Sequence, residues 1–239
     1  MAAWGRSIAH DQSIMGETYM GSIITLTATD GHTLSAYRAG RPDAARAVVV
    51  VQEIFGITPY IRAVCDELAT KGYQVIAPAI FDRAQRDAIL PYSADGMKEG
   101  LALRARVPLA GTLLDLAAAA DALTTEKKGV MGFCWGGTLA WEAACRTTTF
   151  AAAVGWYGGG IAAERARVPN CPVQLHFGAD DAHIPAGDID AIRAAHEDIE
   201  IFVYEGADHG FGCTDRSSYN ETAATLAMQR TLSFFEHWL

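Results

Sequence analysis

GVMGFCWGGTLAW (129–141) decides how the rest of the chain is read. A short apolar run, Lys128–Phe133, leads into Gly132-Phe133-Cys134-Trp135-Gly136, and a helical pattern follows from Gly137 to Cys145. A strand, a G-x-nucleophile-x-G turn and a helix in that order form a nucleophile elbow, here with cysteine in the nucleophile slot. The flanking glycines fit such a turn, because side chains there would strike neighbouring backbone. The turn would present Cys134 at the carboxyl end of a sheet. The first amide of the following helix, that of Trp135, would point at an oxyanion, and a helix start favours a thiolate. A buried structural cysteine between packing glycines would give the same five residues, so the surrounding chain has to decide.

Outward from this turn the pattern is regular. SIITLTATDGHTLSAYRAG (22–40) alternates around Asp30-Gly31, as a hairpin does. Ala47–Val51 reads as a strand buried on both faces. Thr58-Pro59 opens a helix bearing Ile61, Val64, Cys65 and Leu68 on one face, and Gly72 stops it. Tyr73–Ala77, Ala151–Trp156, Val173–Phe177 and Ile199–Tyr204 read as further strands. Leu109–Leu123, a segment near 187–197 and Thr222–Leu239 read as helices. Residues 82–100, charged and irregular, are expected to form a loop and lid. Strand and helix alternate from residue 47 onward, which predicts an α/β fold with a mostly parallel sheet and helices on both faces. No repeat or linker interrupts it. One domain over 1–239 is expected, with 1–20 as a polar extension.

The chain has 239 residues, half of them apolar, and a net charge of −9. The acidic balance argues against nucleic acid or an anionic membrane as partner. No run approaches the length of a membrane span. Five cysteines without a C-x-x-C pair signal neither a zinc site nor a dithiol redox motif, and no metal is expected. The odd count and the absence of an export signal point to a reducing cytoplasm.

A cysteine nucleophile needs a base, and the base an orienting acid, in the chain order nucleophile, acid, histidine. His209 stands in EGADHGFGC after the last strand; Asp181 stands in HFGADDAHIP after the preceding one. Asp180 and Asp208 compete for the acid role. Glu53 ends the run VVVVQEIFGI and would face the same cleft, where an unpaired carboxylate is costly. The amide of Ile54 would be the second oxyanion donor. Phe55, Trp135, Trp156 and Tyr157 are candidates for the pocket wall.

QEIFG, GFCWGG, the G-x-x-D-x-x-x-P element (Gly178, Asp181, Pro185) and A-D-H-G-F together resemble the dienelactone hydrolase family, from about residue 22 to the end. The D-x-x-x-P spacing selects Asp181 over Asp180. The resemblance implies an α/β-hydrolase fold without a large cap, and ester or lactone hydrolysis through Cys134, His209 and Asp181 with no cofactor. It also implies a resting thiol associated with Glu53, which substrate binding frees to take the thiol proton. It implies two arginines that hold a substrate carboxylate. PAIFDR supplies Arg83 for the first; the position of the second, four residues after the histidine, is Cys213, a residue better suited to line a pocket. Arg216 or Arg86 could replace it. The expected partner is a small ester or lactone, bound by a monomer or small homo-oligomer. A general carboxylesterase or thioesterase of the same fold, and a non-hydrolytic thiol sensor or ligand-binding protein, are the alternatives.

Overall fold

A computed structural model describes residues 21–239; the expected polar extension, 1–20, lies outside the described residues. Among these, the strands form one eight-stranded sheet: β1 (Ser22–Thr27), β2 (Thr33–Ala39), β3 (Arg46–Val51), β4 (Tyr73–Pro78), β5 (Gly129–Phe133), β6 (Ala152–Trp156), β7 (Val173–Gly178) and β8 (Glu200–Tyr204). Their order is β1-β2-β4-β3-β5-β6-β7-β8. The hairpin β1–β2 pairs antiparallel and β2 meets β4 antiparallel, while β3 through β8 are mutually parallel. β4, β5, β6 and β7 are buried at every position, as a sheet covered on both faces requires.

The helices are α1 (Pro59–Thr70), α2 (Ala94–Arg104), α3 (Leu109–Asp121), α4 (Trp135–Arg146), α5 (Ala186–Ala195) and α6 (Glu221–Trp238). Handedness assigns them to faces. The crossover β3–α1–β4 steps one way along the sheet, whereas those through α3, α4 and α5 step the other way. Right-handed crossovers therefore put α1 on one face and α3, α4 and α5 on the opposite one. α6 lies beside α1, sharing with it a cavity of about 330 Å³ lined by Tyr60, Val64, Met228 and Leu232. α1 begins as its sequence implies: the Thr58 hydroxyl accepts from the Ile61 amide, and Pro59 stands in the first turn.

Two expectations need correction. Residues 94–104 are a helix, capped by the Ser93 hydroxyl on the Gly96 amide at 3.1 Å. Its buried face is Gly96, Gly100 and Leu103, so no apolar stripe marked it in the sequence. The glycines let it press close: a Cβ on Gly100 would sit 2.1 Å from the carbonyl oxygen of Ile54. α2 is thus seated on the end of β3 and is not a loose lid.

Arg83 is the second. Its guanidinium grips Asp115 of α3 through two hydrogen bonds of 2.7 and 2.8 Å, and reaches Asp30 at the hairpin tip at 2.8 Å. The Asp115 side chain is fully buried. Burial pushes its carboxyl up, and Arg83 pulls against that shift. Arg83 therefore ties hairpin, sheet and α3 together, its guanidinium committed to those two carboxylates. Arg83→Met is expected to cost about 3 kcal/mol or more in chemical unfolding, since it strands a buried carboxylate. Adding Asp115→Leu should recover most of the loss, and a double variant no more stable than the single would contradict this role.

Candidate active site

Four side chains from distant parts of the chain meet at the carboxyl end of the sheet. Glu53 follows β3, Cys134 follows β5, Asp181 follows β7 and His209 follows β8. Parallel strands ending on one edge make this the place where an open α/β sheet binds ligands.

Cys134 sits in a backbone conformation rare for a side-chain-bearing residue, φ +53° and ψ −116°. The neighbouring backbone explains both glycines. A Cβ on Gly132 would lie 2.1 Å from the carbonyl oxygen of Gly136, and one on Gly136 would lie 2.4 Å from that of Val51. The turn is pinned by the Cys134 amide, which donates to the Trp156 carbonyl at 3.0 Å. α4 starts at once, so the amide of Trp135 is one of the leading helix donors without an acceptor in its own helix. Ile54 and Trp135 both line the cleft beside the sulfur.

His209 Nε2 stands 3.2 Å from Cys134 Sγ, and its Nδ1 is 2.7 Å from Asp181 Oδ2. The other Asp181 oxygen accepts from the His183 amide at 2.8 Å. Asp208 instead receives the amide of His209, and Asp180 is exposed. Burial alone would pull the His209 imidazole down; its hydrogen bonds to Asp181 and Cys134 outweigh that, and it is pushed up to about 10. Burial works on Asp181 in the opposite sense, and the His209 bond overcomes it to hold the carboxyl below its ordinary value. The Tyr157 ring packs edge-on against the imidazole, 5.3 Å between centroids.

Glu53 is completely buried. Its carboxylate accepts from the Tyr92 hydroxyl at 3.0 Å and from Arg216 Nη1 at 3.5 Å. Burial raises its affinity for a proton, opposed chiefly by Arg216 and Tyr92. The sequence resemblance implies a thiol resting on this glutamate; here the sulfur faces His209, and Arg216 and Tyr92 occupy the carboxylate.

The cleft holds about 320 Å³ and is lined by Phe55, Cys134, Trp135, His209, Arg216 and residues of α2, among others. Arg216 reaches it. Arg86 does not: it donates to the carbonyl and hydroxyl of Thr33 on the hairpin. Trp156 is not part of the lining. Its ring turns behind the wall, and its indole N–H donates to Thr231 of α6. Tyr157 and Cys213 are likewise fully buried behind the surface. Burial, then nearby Glu53, pushes the Cys213 thiol up to about 12, so it stays protonated. Unanticipated from sequence are Met97, Leu101 and Arg104 of α2, with Thr138 and His183. The first three recur at i, i+4 and i+7, a spacing that marks one helix face once the helix is known. No described helix is long and apolar enough to cross a membrane.

The model of the dienelactone hydrolase family matches residues 34–239. A Yersinia pestis protein named "Putative carboxymethylenebutenolidase" is 35% identical over 234 residues, covering 88% of this chain and 86% of that one. The carboxymethylenebutenolidase of Pseudomonas putida is 31% identical over 224 residues, covering 88% and 94%. A solved structure from Klebsiella pneumoniae, titled "Putative Dienelactone Hydrolase", superposes with a TM-score of 0.77 at 33% identity, covering 91% of this chain and all of that one. With an eight-stranded α/β-hydrolase sheet and this match, the chain belongs to the dienelactone hydrolase family and is a hydrolase of that family.

Proposed function

We propose that the protein hydrolyses a lactone or small carboxylic ester, with Cys134 as nucleophile, His209 as base and acid, and Asp181 as the orienting carboxylate. The observation that carries this reading is the unbroken chain Sγ–Nε2, Nδ1–Oδ2 at 3.2 and 2.7 Å on the cleft floor. Each contact is within the reach that proton transfer needs.

The chemistry follows from the placement. His209, raised to about 10 by its bonds to Asp181 and Cys134, holds the proton it shares with the sulfur, and Asp181 balances the imidazolium. The sulfur attacks the carbonyl carbon, and the amides of Ile54 and Trp135 stabilise the oxyanion. Collapse breaks the carbon–oxygen bond, and His209 returns its proton to the departing alkoxide. In a lactone that alkoxide remains tethered, so prompt protonation prevents reclosure. Formation of the thioester removes the sulfur's charge and with it one influence holding His209 high. The imidazole is then free to deprotonate the water that releases the acid.

Arg216 couples substrate to nucleophile. A substrate carboxylate drawn to Arg216 competes with Glu53 for the guanidinium. The freed Glu53 carboxylate, already proton-hungry through burial, becomes a second acceptor for the thiol proton. Five free cysteines among the described residues accord with a reducing cytoplasm as the working compartment. A general esterase preferring neutral substrates is the second reading, favoured by the commitment of Arg83 to Asp115.

Hydrolysis of a dienelactone and of a neutral ester of similar size separates the readings, with Cys134→Ala as the blank. Turnover by Cys134→Ala equal to wild type would sink the mechanism. Asp181→Asn is expected to lower kcat by about 100-fold or more, with the fold retained. The pH profile gives an independent check. His209 loses its proton near pH 10, so the alkaline limb of kcat/KM should lie there. Removing the Asp181 charge lowers the imidazole, so in Asp181→Asn that limb should move toward neutrality; an unmoved limb contradicts the assignment. Arg216→Met should cost the dienelactone at least about tenfold more than the neutral ester. Equal losses would favour the general esterase.

A further inference from the structure

β8 ends the sheet, and no described strand lies beyond it. Its sequence, EIFVY (200–204), carries little of the protection usual at an edge: no proline, no lysine, and a single charge, Glu200, at its first position. The Tyr204 carbonyl accepts from the Ala179 amide, just past β7. Alternate residues of a parallel ladder bond the same neighbour, so Glu200, Phe202 and Tyr204 bond inward, and Ile201 and Val203 turn their amides and carbonyls outward. Beside this edge, between β8 and α6, lies a cavity of about 340 Å³ whose lining includes Phe202, Leu226, Phe234 and Trp238. Leu226 is 39% exposed and Trp238 36%, high for side chains of that size and polarity.

Two opposite charges stand on the same face of this edge, each without an ion-pair partner among the described residues. Arg230 of α6 lies over the Phe202 ring, 4.1 Å from its centroid, and 5.4 Å from that of Tyr204. Glu200 is exposed and accepts from the Gln174 side chain at 2.8 Å. Both line the same cavity. Glu200 stands on one side of Phe202 along the strand, and Arg230 reaches over Phe202 toward Tyr204 on the other. A two-fold axis through Phe202 would set Glu200 of one copy opposite Tyr204 of the other, where that copy's Arg230 stands.

We propose that the outer edge of β8, with α6 beside it, is the surface on which a second copy of this chain docks, its own β8 running antiparallel and centred on Phe202. Among the registers that set outward-facing residues opposite one another, only this one overlaps all five residues of the strand. Ile201 then pairs with Val203 of the second copy, and Val203 with its Ile201, for about four backbone hydrogen bonds. Each Glu200 meets Arg230 of the other copy, so one symmetric contact satisfies both charges twice. Leu226 and Trp238 flank the joint. β8 leads into the loop that carries His209, so the joint also fixes the strand from which that loop starts. Nothing in this pairing depends on the chemistry of the cleft.

Sedimentation of the full chain tests it. The wild type is expected to run at twice the chain mass at about 100 μM and to dissociate on dilution. Glu200→Arg and Arg230→Glu should each weaken association at least about tenfold, because each sets like charges against one another. Mixed in equal amounts, the two variants should form a heterodimer about as stable as the wild-type pair, since both contacts are then of opposite sign. Recovery on mixing also shows that each variant is folded. Val203→Pro should abolish pairing and leave the β7 ladder intact, because the amide it removes faces outward. A wild type that stays monomeric at about 100 μM overturns the proposal. Slow hydrogen exchange at Ile201 and Val203 in that monomer would assign the edge to another segment of the same chain. A dimer that persists in all three variants uses a different surface and overturns it too. So does a mixture that stays monomeric while circular dichroism shows both variants folded.

Discussion

The left-handed turn at Cys134 is the constraint around which the rest of the site is arranged. A non-glycine residue at φ +53° persists only where its surroundings over-determine it. Here three strands do so. The amide of Cys134 is bonded to the end of β6, Gly136 is pressed onto the carbonyls that end β3, and β5 feeds directly into the turn. Because Gly136 can approach Val51 and Gln52 so closely, the sulfur and the segment Glu53–Phe55 are forced to be neighbours. That Cys134 and Ile54 line one cleft is thus a packing consequence of having no side chain at position 136.

The same logic explains why residues more than 150 positions apart converge. A parallel sheet delivers the ends of β3, β5, β7 and β8 to one edge, and each strand contributes its next few residues to the cleft. Asp181 and His209 come from adjacent strands, β7 and β8, so their 2.7 Å contact follows from sheet order. Reaching from β8 back to the sulfur on β5 is harder, because two strands intervene. The loop after β8 does it by folding inward, with Phe211 buried against Trp156 at 5.6 Å and the Ser218 hydroxyl holding the His209 carbonyl. Trp156 and its anchor on Thr231 serve the site from behind, by giving this loop a fixed surface to rest on.

What the sequence disclosed divides along physical lines. Strands with unbroken apolar runs, the Thr58-Pro59 helix start and the glycine-flanked cysteine are local signals, and each is found where its pattern implies. The order of Cys134, Asp181 and His209 was legible because strand ends are legible. α2 was not, since the face it buries is mostly glycine, with Leu103 alone beside Gly96 and Gly100, and an apolar stripe is the usual sign of a helix. Arg83, Trp156 and Tyr157 show a second limit. Their positions in the chain put them near the cleft, yet side-chain direction depends on partners far away in sequence: Asp115 and Asp30 for the arginine, Thr231 for the tryptophan. A residue's place at a strand end says where its backbone is, not which side of the wall its side chain takes.

Charge shows why that distinction matters for function. In a low-dielectric cleft a guanidinium is useful to a substrate only to the extent that the protein has not already neutralised it. Arg83 is consumed by a fully buried aspartate, and displacing that partner would strand a carboxylate without water. Arg216 is held by Glu53 at 3.5 Å, alongside Tyr92, a looser arrangement that an incoming anion can exchange. Arg104 has an aromatic ring beneath it and, among the described residues, no acid paired with it. The three arginines therefore form a series, from structural staple through exchangeable partner to open cation. Counting basic residues near a site cannot order them, because the order is set by where the aspartates and glutamates fall in the folded chain. Specificity in such a cleft is decided as much by which cations the fold has spent on its own stability as by which ones it contains.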